Sequence, residues 1–137
     1  MMEQTLVIIK PDGVQRKLVG RIIQRFEDRN LTIKKMYQTV LDEPLVRKHY
    51  DHLKERDFFL DIINYMTSGS VIVILLEGER VIEIVRKMIG KTDALLAAPG
   101  TIRGDFALNK SENIIHASDS IEAAQLEIER FFNSSIN

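Results

Sequence analysis

His116 closes the run Asn113-Ile114-Ile115-His116 and stands directly before Ala117-Ser118-Asp119-Ser120, a pattern that reads as a strand leading into a helix start. Ser118 or Ser120 can cap that helix, whose unpaired N–H groups would attract an anion. An imidazole there can serve as base, acid or nucleophile, because its unperturbed pKa lies near neutrality. It can equally be a hydrogen-bonded structural histidine. Glu127 falls at the edge of the apolar stripe of the last helix, within reach of a histidine at the start of the same helix. A carboxylate holding one ring nitrogen leaves the other free and more nucleophilic; a solvated helix glutamate is the plainer alternative.

Positive charge is the second ingredient. Arg86 flanks the apolar face of its helix, Arg103 lies in the glycine-bearing stretch Thr101-Ile102-Arg103-Gly104-Asp105, and Lys10 ends a strand before a turn. Two arginines and a lysine converging on one pocket would clamp a phosphate, but spacing alone does not establish convergence. Phe58 is off its helix's apolar stripe while Phe59 is on it, so Phe58 is either a stacking platform for a flat ligand or an ordinary exposed apolar residue. Tyr50 carries the same ambiguity. His49 and His52, three apart, could share a metal but lack a third ligand, and surface histidines are the expectation. No phosphate-loop, dinucleotide or His-Glu-x-x-His pattern occurs.

These residues need elements to hold them. Thr5-Leu6-Val7-Ile8-Ile9-Lys10 predicts a strand stopped by a turn at Pro11-Asp12-Gly13. Residues 18–29 predict a helix, 31–40 a strand with one wet face, and the chain from Glu43 to Met66 a helical stretch with Pro44 in its first turn. Val71–Leu76 predicts a buried strand, 79–89 a helix, 92–105 a loop, and 113–116 a short strand. A final helix from Ser120 lines up Ile121, Ala124, Ile128, Phe131 and Phe132. Alternating strands and helices favour one domain over residues 1–137, a small sheet covered by helices, with strand order left open.

Composition narrows the function. Nineteen Lys and Arg against twenty Asp and Glu leave a net charge of −1, so there is no global field for gripping nucleic acid or an acidic membrane. No cysteine is present, which removes disulfides and thiol chemistry. The longest apolar run, Val71 to Leu76, is far short of the roughly 20 residues of a membrane helix. The N-terminus lacks a signal-peptide layout, and a cytoplasmic location is expected.

The motifs then meet a known pattern. The chain resembles nucleoside diphosphate kinase from end to end: in Ile9-Lys10-Pro11-Asp12-Gly13-Val14-Gln15-Arg16, in the block from His49-Tyr50 to Phe58-Phe59, in Pro99-Gly100-Thr101-Ile102-Arg103-Gly104-Asp105-Phe106, and in Asn113 to Ser120. The resemblance implies an α+β, ferredoxin-like sandwich with a four-stranded antiparallel sheet. It implies transfer of the terminal phosphoryl group from a nucleoside triphosphate to a nucleoside diphosphate, by a ping-pong route through a phosphohistidine at His116 and with broad base specificity. By position, Arg86, Thr92 and Arg103 would contact phosphates, Lys10 and Asn113 the sugar hydroxyl and phosphate region, and Phe58 the base. Tyr50 would support the histidine, with Ser118 and Glu127 behind it. No protein metal site is implied; Mg²⁺ would arrive on the nucleotide, held by phosphates and water. A homo-oligomer is implied, a tetramer or hexamer built from dimers.

Departures from the family pattern carry their own expectations. Ala117 replaces the usual glycine after the histidine; were positive φ required, its methyl would cost on the order of 1 kcal/mol. Lys110 stands where an apolar residue often closes the base slot, and Asp93 to Ala98 lacks the usual Asn-Pro pairing of a subunit-contact loop. The chain ends at Asn137, soon after its last helix, where longer relatives brace neighbouring subunits, so a dimer or tetramer stands beside the hexamer. A catalytically silent relative would be free to lose several of these residues, and a nucleic-acid-reading sheet would need basic and aromatic residues that a tryptophan-free, charge-balanced chain does not advertise.

Overall fold

Five consecutive buried β-branched and leucine side chains, Thr5 to Ile9, cannot all face one core, so this part of β1 must be covered on both sides. The computed structural model, which describes residues 2–133, shows how. Strands β1 (Met2–Ile9), β2 (Thr32–Thr39), β3 (Val71–Glu79) and β4 (Ile115–Ala117) form one antiparallel sheet in the order β2-β3-β1-β4. Leu6 and Ile8 point into one core with Val73, Leu75, Val46, Ile63 and Phe131. Val7 and Ile9 point into the other with Ile74, Leu76, Ile22, Phe26 and Val85.

Helices α2 (Val19–Asp28) and α5 (Val81–Ile89) pack on the second of these faces, α3 (Glu43–His49) and α4 (Phe59–Met66) on the first. Helix α7 (Ile121–Ile128), continued by a π-helical turn from Glu129 to Asn133, closes the molecule against β1. The architecture is thus the expected α+β sandwich around a four-stranded antiparallel sheet. The edge strand β2 keeps its wet face, with Thr32, Lys34, Lys35 and Met36 exposed.

Several local expectations are corrected. Pro11-Asp12-Gly13 does not form a bare turn but opens a short helix, α1 (Pro11–Gln15), since proline at a helix start gives up an N–H that would be unpaired anyway. The stretch from Glu43 to Met66 is not continuous: α3 ends at His49, a 3-10 turn covers Asp51–Leu53, and α4 begins only at Phe59. The interval is polar and carries no apolar repeat to continue a helix. The loop at 92–105 runs into helix α6 (Ile102–Phe106), whose N-cap Thr101 accepts the Gly104 N–H; five residues are too few to show a period. Strand β3 continues to Glu79, delaying α5 to Val81, and the last strand runs from Ile115 to Ala117. Ile121 is 52% exposed instead of facing the core. The expectation about the chain's end falls on residues outside those described.

Candidate functional site

Strand β4 aims His116. In its register Ile8 opposes His116, while Val7 and Ile9 oppose Ala117 and Ile115. Side chains alternate across a strand, so Ile115 and Ala117 bury on the α5 side and His116 faces the α3 side. Just before the strand, the Ile115 N–H donates to the Asn113 carbonyl at 2.8 Å, a γ-turn centred on Ile114. Ile114 has φ 76° and is fully buried, a conformation that β-branched residues avoid. The turn reverses the chain between Asn113 and His116 and lets both reach the same site. Ala117 is not among the residues with positive φ, so the expected strain at that position is absent.

Behind the histidine, Ser120 caps α7 by accepting the Ala123 N–H, and the helix carries Glu127 back over β4. Glu127 Oε1 lies 2.8 Å from His116 Nε2 and accepts the Ser118 hydroxyl hydrogen at 2.8 Å. Ser118, fully buried, in turn accepts the Leu6 N–H. Of the two serines, Ser120 is therefore the cap and Ser118 the carboxylate's support. Burial alone would raise the Glu127 carboxyl, but hydrogen bonds from His116 and Ser118 and the charges of His116 and Arg130 outweigh it and hold it low. A carboxylate on Nε2 keeps the ring proton there, and Nδ1 presents a lone pair.

In front of the histidine, charge accumulates. Lys10 Nζ donates to Asn113 Oδ1 at 2.8 Å, and the Asn113 amide donates to the Thr92 carbonyl at 3.1 Å. Arg103 is buried and donates to three carbonyls: Gly90 at 3.0 Å, Ile115 at 2.7 Å and Asn113 at 3.4 Å. Arg86 donates to the Ala117 carbonyl at 3.3 Å. Burial and then Arg86 bring Arg103 down to about 10, while burial and then Arg103 bring Lys10 down to about 8. Lys10 and Arg103 sense each other, as do Arg103 and Arg86. Tyr50, at the end of α3, has its phenol pushed up by burial and then by Glu127, and so lies within the same field. Phe58, 41% exposed, flanks α4, with the Arg56 guanidinium 5.3 Å from its ring centre. Thr92 and Lys110 are both exposed.

The arrangement can bind a polyanion and present a nitrogen nucleophile to it. The sequence model described as nucleoside diphosphate kinase matches residues 3–136. The chain belongs to the nucleoside diphosphate kinase family. Nucleoside diphosphate kinases of Acetivibrio thermocellus and Methanocaldococcus jannaschii are 56% and 53% identical, each alignment covering 96% of this chain and 96% and 94% of the relative. Among solved structures, the halophilic nucleoside diphosphate kinase of Halobacterium salinarum in complex with CDP is similar at TM-score 0.95 and 40% identity, over 97% of this chain and 89% of that one. The apo enzyme of Encephalitozoon cuniculi is similar at TM-score 0.94 and 37% identity, over 98% and 92%.

His49 corrects the expectation of a surface histidine. It is 6% exposed, on the buried face of α3 one turn after Val46, with its ring 4.8 Å from that of His116 and 5.2 Å from Phe131. Arg130 donates to its Nδ1 at 3.0 Å. Burial, then the charges of His116 and Arg130, hold it well below the usual histidine range, so it is a neutral ring. Its spacing from Val46 was the available signal. His52 is exposed. His49, His116 and Glu127 offer ligand atoms within 4.8 Å of one another. Two of the three ligand atoms are imidazole nitrogens, whereas Mg²⁺ takes an octahedron of oxygens. This donor set does not fit Mg²⁺. Asp12 and Tyr65, whose hydroxyl donates to Asp12 Oδ1, also escaped the sequence reading. Among the described residues, no helix is long and apolar enough to cross a membrane.

Proposed function

We propose that the chain moves the terminal phosphoryl group of a nucleoside triphosphate to a nucleoside diphosphate in two half-reactions through a phosphohistidine at His116. The observation that carries this reading is the 2.8 Å Glu127–Nε2 contact, which leaves Nδ1 as the remaining nucleophile. The Nδ1 lone pair attacks the terminal phosphorus, a P–N bond forms, and the P–O bond breaks with its electron pair leaving on the nucleoside diphosphate. A β-phosphate oxygen of the second diphosphate then attacks phosphorus and the P–N electron pair returns to Nδ1. The Nε2 proton stays on Glu127's side throughout, and the carboxylate offsets the positive charge the ring gains in the first step.

Phosphoryl transfer asks chiefly for alignment and charge stabilisation. Lys10, Arg86, Arg103 and Thr92 supply these to the phosphates, and Asn113 reaches the sugar with Lys10. Tyr50 packs the approach to the histidine. Mg²⁺ would come with the nucleotide, held by its phosphate oxygens and water with no protein ligand, and would offset phosphate charge. Phe58 stacks on the base; every base has an apolar face, so stacking without edge contacts tolerates all of them, and Lys110 at the slot tunes affinity, not the reaction. The Halobacterium salinarum relative is solved in complex with CDP, which supports a nucleotide as the ligand here. We further infer one domain, a homo-oligomer built from dimers, and a cytoplasmic setting. The test is to incubate the protein with ATP labelled at its terminal phosphate, isolate it, and add GDP. Acid-labile, base-stable label that passes to GDP supports the reading, as does its loss in His116→Ala; an unlabelled protein or a turning-over variant overturns it.

A further inference from the structure

His49 has no part in the transfer scheme, yet it is buried and three aromatic rings stand nearly perpendicular around it. Tyr50 lies 4.7 Å away at 79°, Phe131 5.2 Å at 79° and His116 4.8 Å at 83°, centre to centre. A buried imidazole needs partners for its polar atoms. Arg130 Nη1 supplies one, donating to Nδ1 at 3.0 Å. A guanidinium has only donors, so Nδ1 holds a lone pair here and the ring proton sits on Nε2. Arg130 and its neighbour Phe131 both come from the π-helical turn Glu129–Asn133, and both meet this one ring on α3. Single π-helical turns are rare and frequently mark functional sites.

What the pair does for His116 follows from the contacts. Glu127 holds the His116 ring at one atom, Nε2, and leaves the tilt of its plane to whatever packs on it. The His49 ring packs there, in the perpendicular arrangement that aromatic pairs prefer. That neighbour also has to be uncharged. His116 gains positive charge as the P–N bond forms, and a second imidazolium 4.8 Å away would oppose it. We propose that Arg130 is a positioning residue acting through His49: its hydrogen bond to Nδ1 locks His49 as the uncharged Nε2–H tautomer, and that ring holds the plane of the His116 imidazole for attack on phosphorus. The inference rests on the reading that His116 is the nucleophile.

The groups around His49 agree with an uncharged ring. Burial acts first, and the charges of His116 of β4, Arg130 of the π-helical turn, Lys10 after β1 and His52 of the 3-10 turn all disfavour its protonation. Tyr50, next to it on the chain, keeps its proton, because burial and then Glu127 push the phenol up. Glu127 of α7 is committed to His116 and Ser118.

Two variants separate the hydrogen bond from the charge. Arg130→Gln keeps a side-chain N–H donor and loses the charge, whereas Arg130→Met loses both. With imidazole nitrogens isotopically labelled, NMR of the nucleotide-free protein should show His49 Nδ1 as a lone-pair nitrogen and Nε2 as N–H. Arg130→Gln should keep that pattern, and Arg130→Met should mix the two tautomers. Phosphohistidine formation from labelled ATP should slow about tenfold in Arg130→Met while KM changes less than about twofold. Arg130→Gln should stay within about threefold of the parent. In His49→Phe, whose ring has no tautomer to lock and no charge to gain, adding Arg130→Met should cost no further rate. A protonated Nδ1 in the parent, an unchanged tautomer or rate in folded Arg130→Met, or an equal loss in the His49→Phe background overturns the inference. Should Arg130→Met not fold, the parent spectrum and Arg130→Gln decide, and about a tenfold loss with the tautomer retained overturns it. The spectrum is read without turnover, so a chain with His49 locked as expected that forms no phosphohistidine overturns only the transfer scheme.

Discussion

Glu127 accepts two hydrogen bonds at one oxygen, from His116 Nε2 and from Ser118, and each does different work. The first selects the ring tautomer; the second holds the carboxylate where it can do so. Glu127→Gln keeps the shape but removes the charge that offsets the phosphorylated ring. We expect kcat to fall by about 10- to 100-fold, with KM changed far less, in steady-state assays. The same group links stability to pH. Its folded pKa lies below the unfolded value of 4.5, so its contribution is present above about 4.5 and lost as pH falls through the folded value. The Gln variant should therefore lose less stability than the parent between pH 7 and pH 3, a comparison that urea midpoints at the two pH values make directly.

At the scale of elements, the site is assembled from ends. His116 is on a three-residue strand, Asn113 at a γ-turn, Lys10 at a strand end, Tyr50 after α3 and Phe58 before α4. Arg103 is held by a helix whose glycine cannot be replaced: a Cβ at Gly104 would overlap the Ala98 carbonyl. What makes such a collection rigid is capping and burial, not the length of any element. Ser120 is the test. Its hydroxyl pairs the Ala123 N–H at the start of α7 and has no part in the proposed transfer. Ser120→Ala should cost about 1 kcal/mol in chemical denaturation while kcat changes less than twofold. A large kinetic loss would mean that the start of α7 takes part in the chemistry.

Across the whole molecule, both cores hang on one sheet, with Leu6 and Ile8 in one and Val7 and Ile9 in the other. Neither half can lose its packing without exposing β1. Unfolding is expected as one cooperative transition. The loop before α6 leaves Leu95 85% and Leu96 64% exposed, side by side. The proposed homo-oligomer would use such surface, and mass action then requires Tm to rise with protein concentration. Calorimetry over a hundredfold concentration range, with sedimentation to give the mass, checks both; a concentration-independent Tm would argue for a monomer. The −1 net charge also looks different here. It averages a cluster of Lys10, Arg86, Arg103 and Arg130 around two histidines and Glu127 with the charges of the rest of the surface.

The sheet, its covering helices and the family were legible in the chain itself. Strands buried on both faces read as unbroken apolar runs, long helices repeat every three to four residues, and the motif blocks around Lys10, Arg103 and His116 stand in order. The shortest helices were not legible, because α1 and α6 are too brief to show a period, whereas the short strand β4 was expected near its observed place. Nor was the pairing of Tyr65 with Asp12, fifty-three residues apart, whereas Glu127 beside His116, eleven apart, stood in the sequence as one of two alternatives. His49 shows the division most clearly. Its identity announces a titratable ring, but burial beside Arg130 and His116 makes it a neutral one, and burial belongs to the folded chain alone. Residue type set what chemistry was available; packing decided which groups carry charge, which nitrogen is free, and what each one faces.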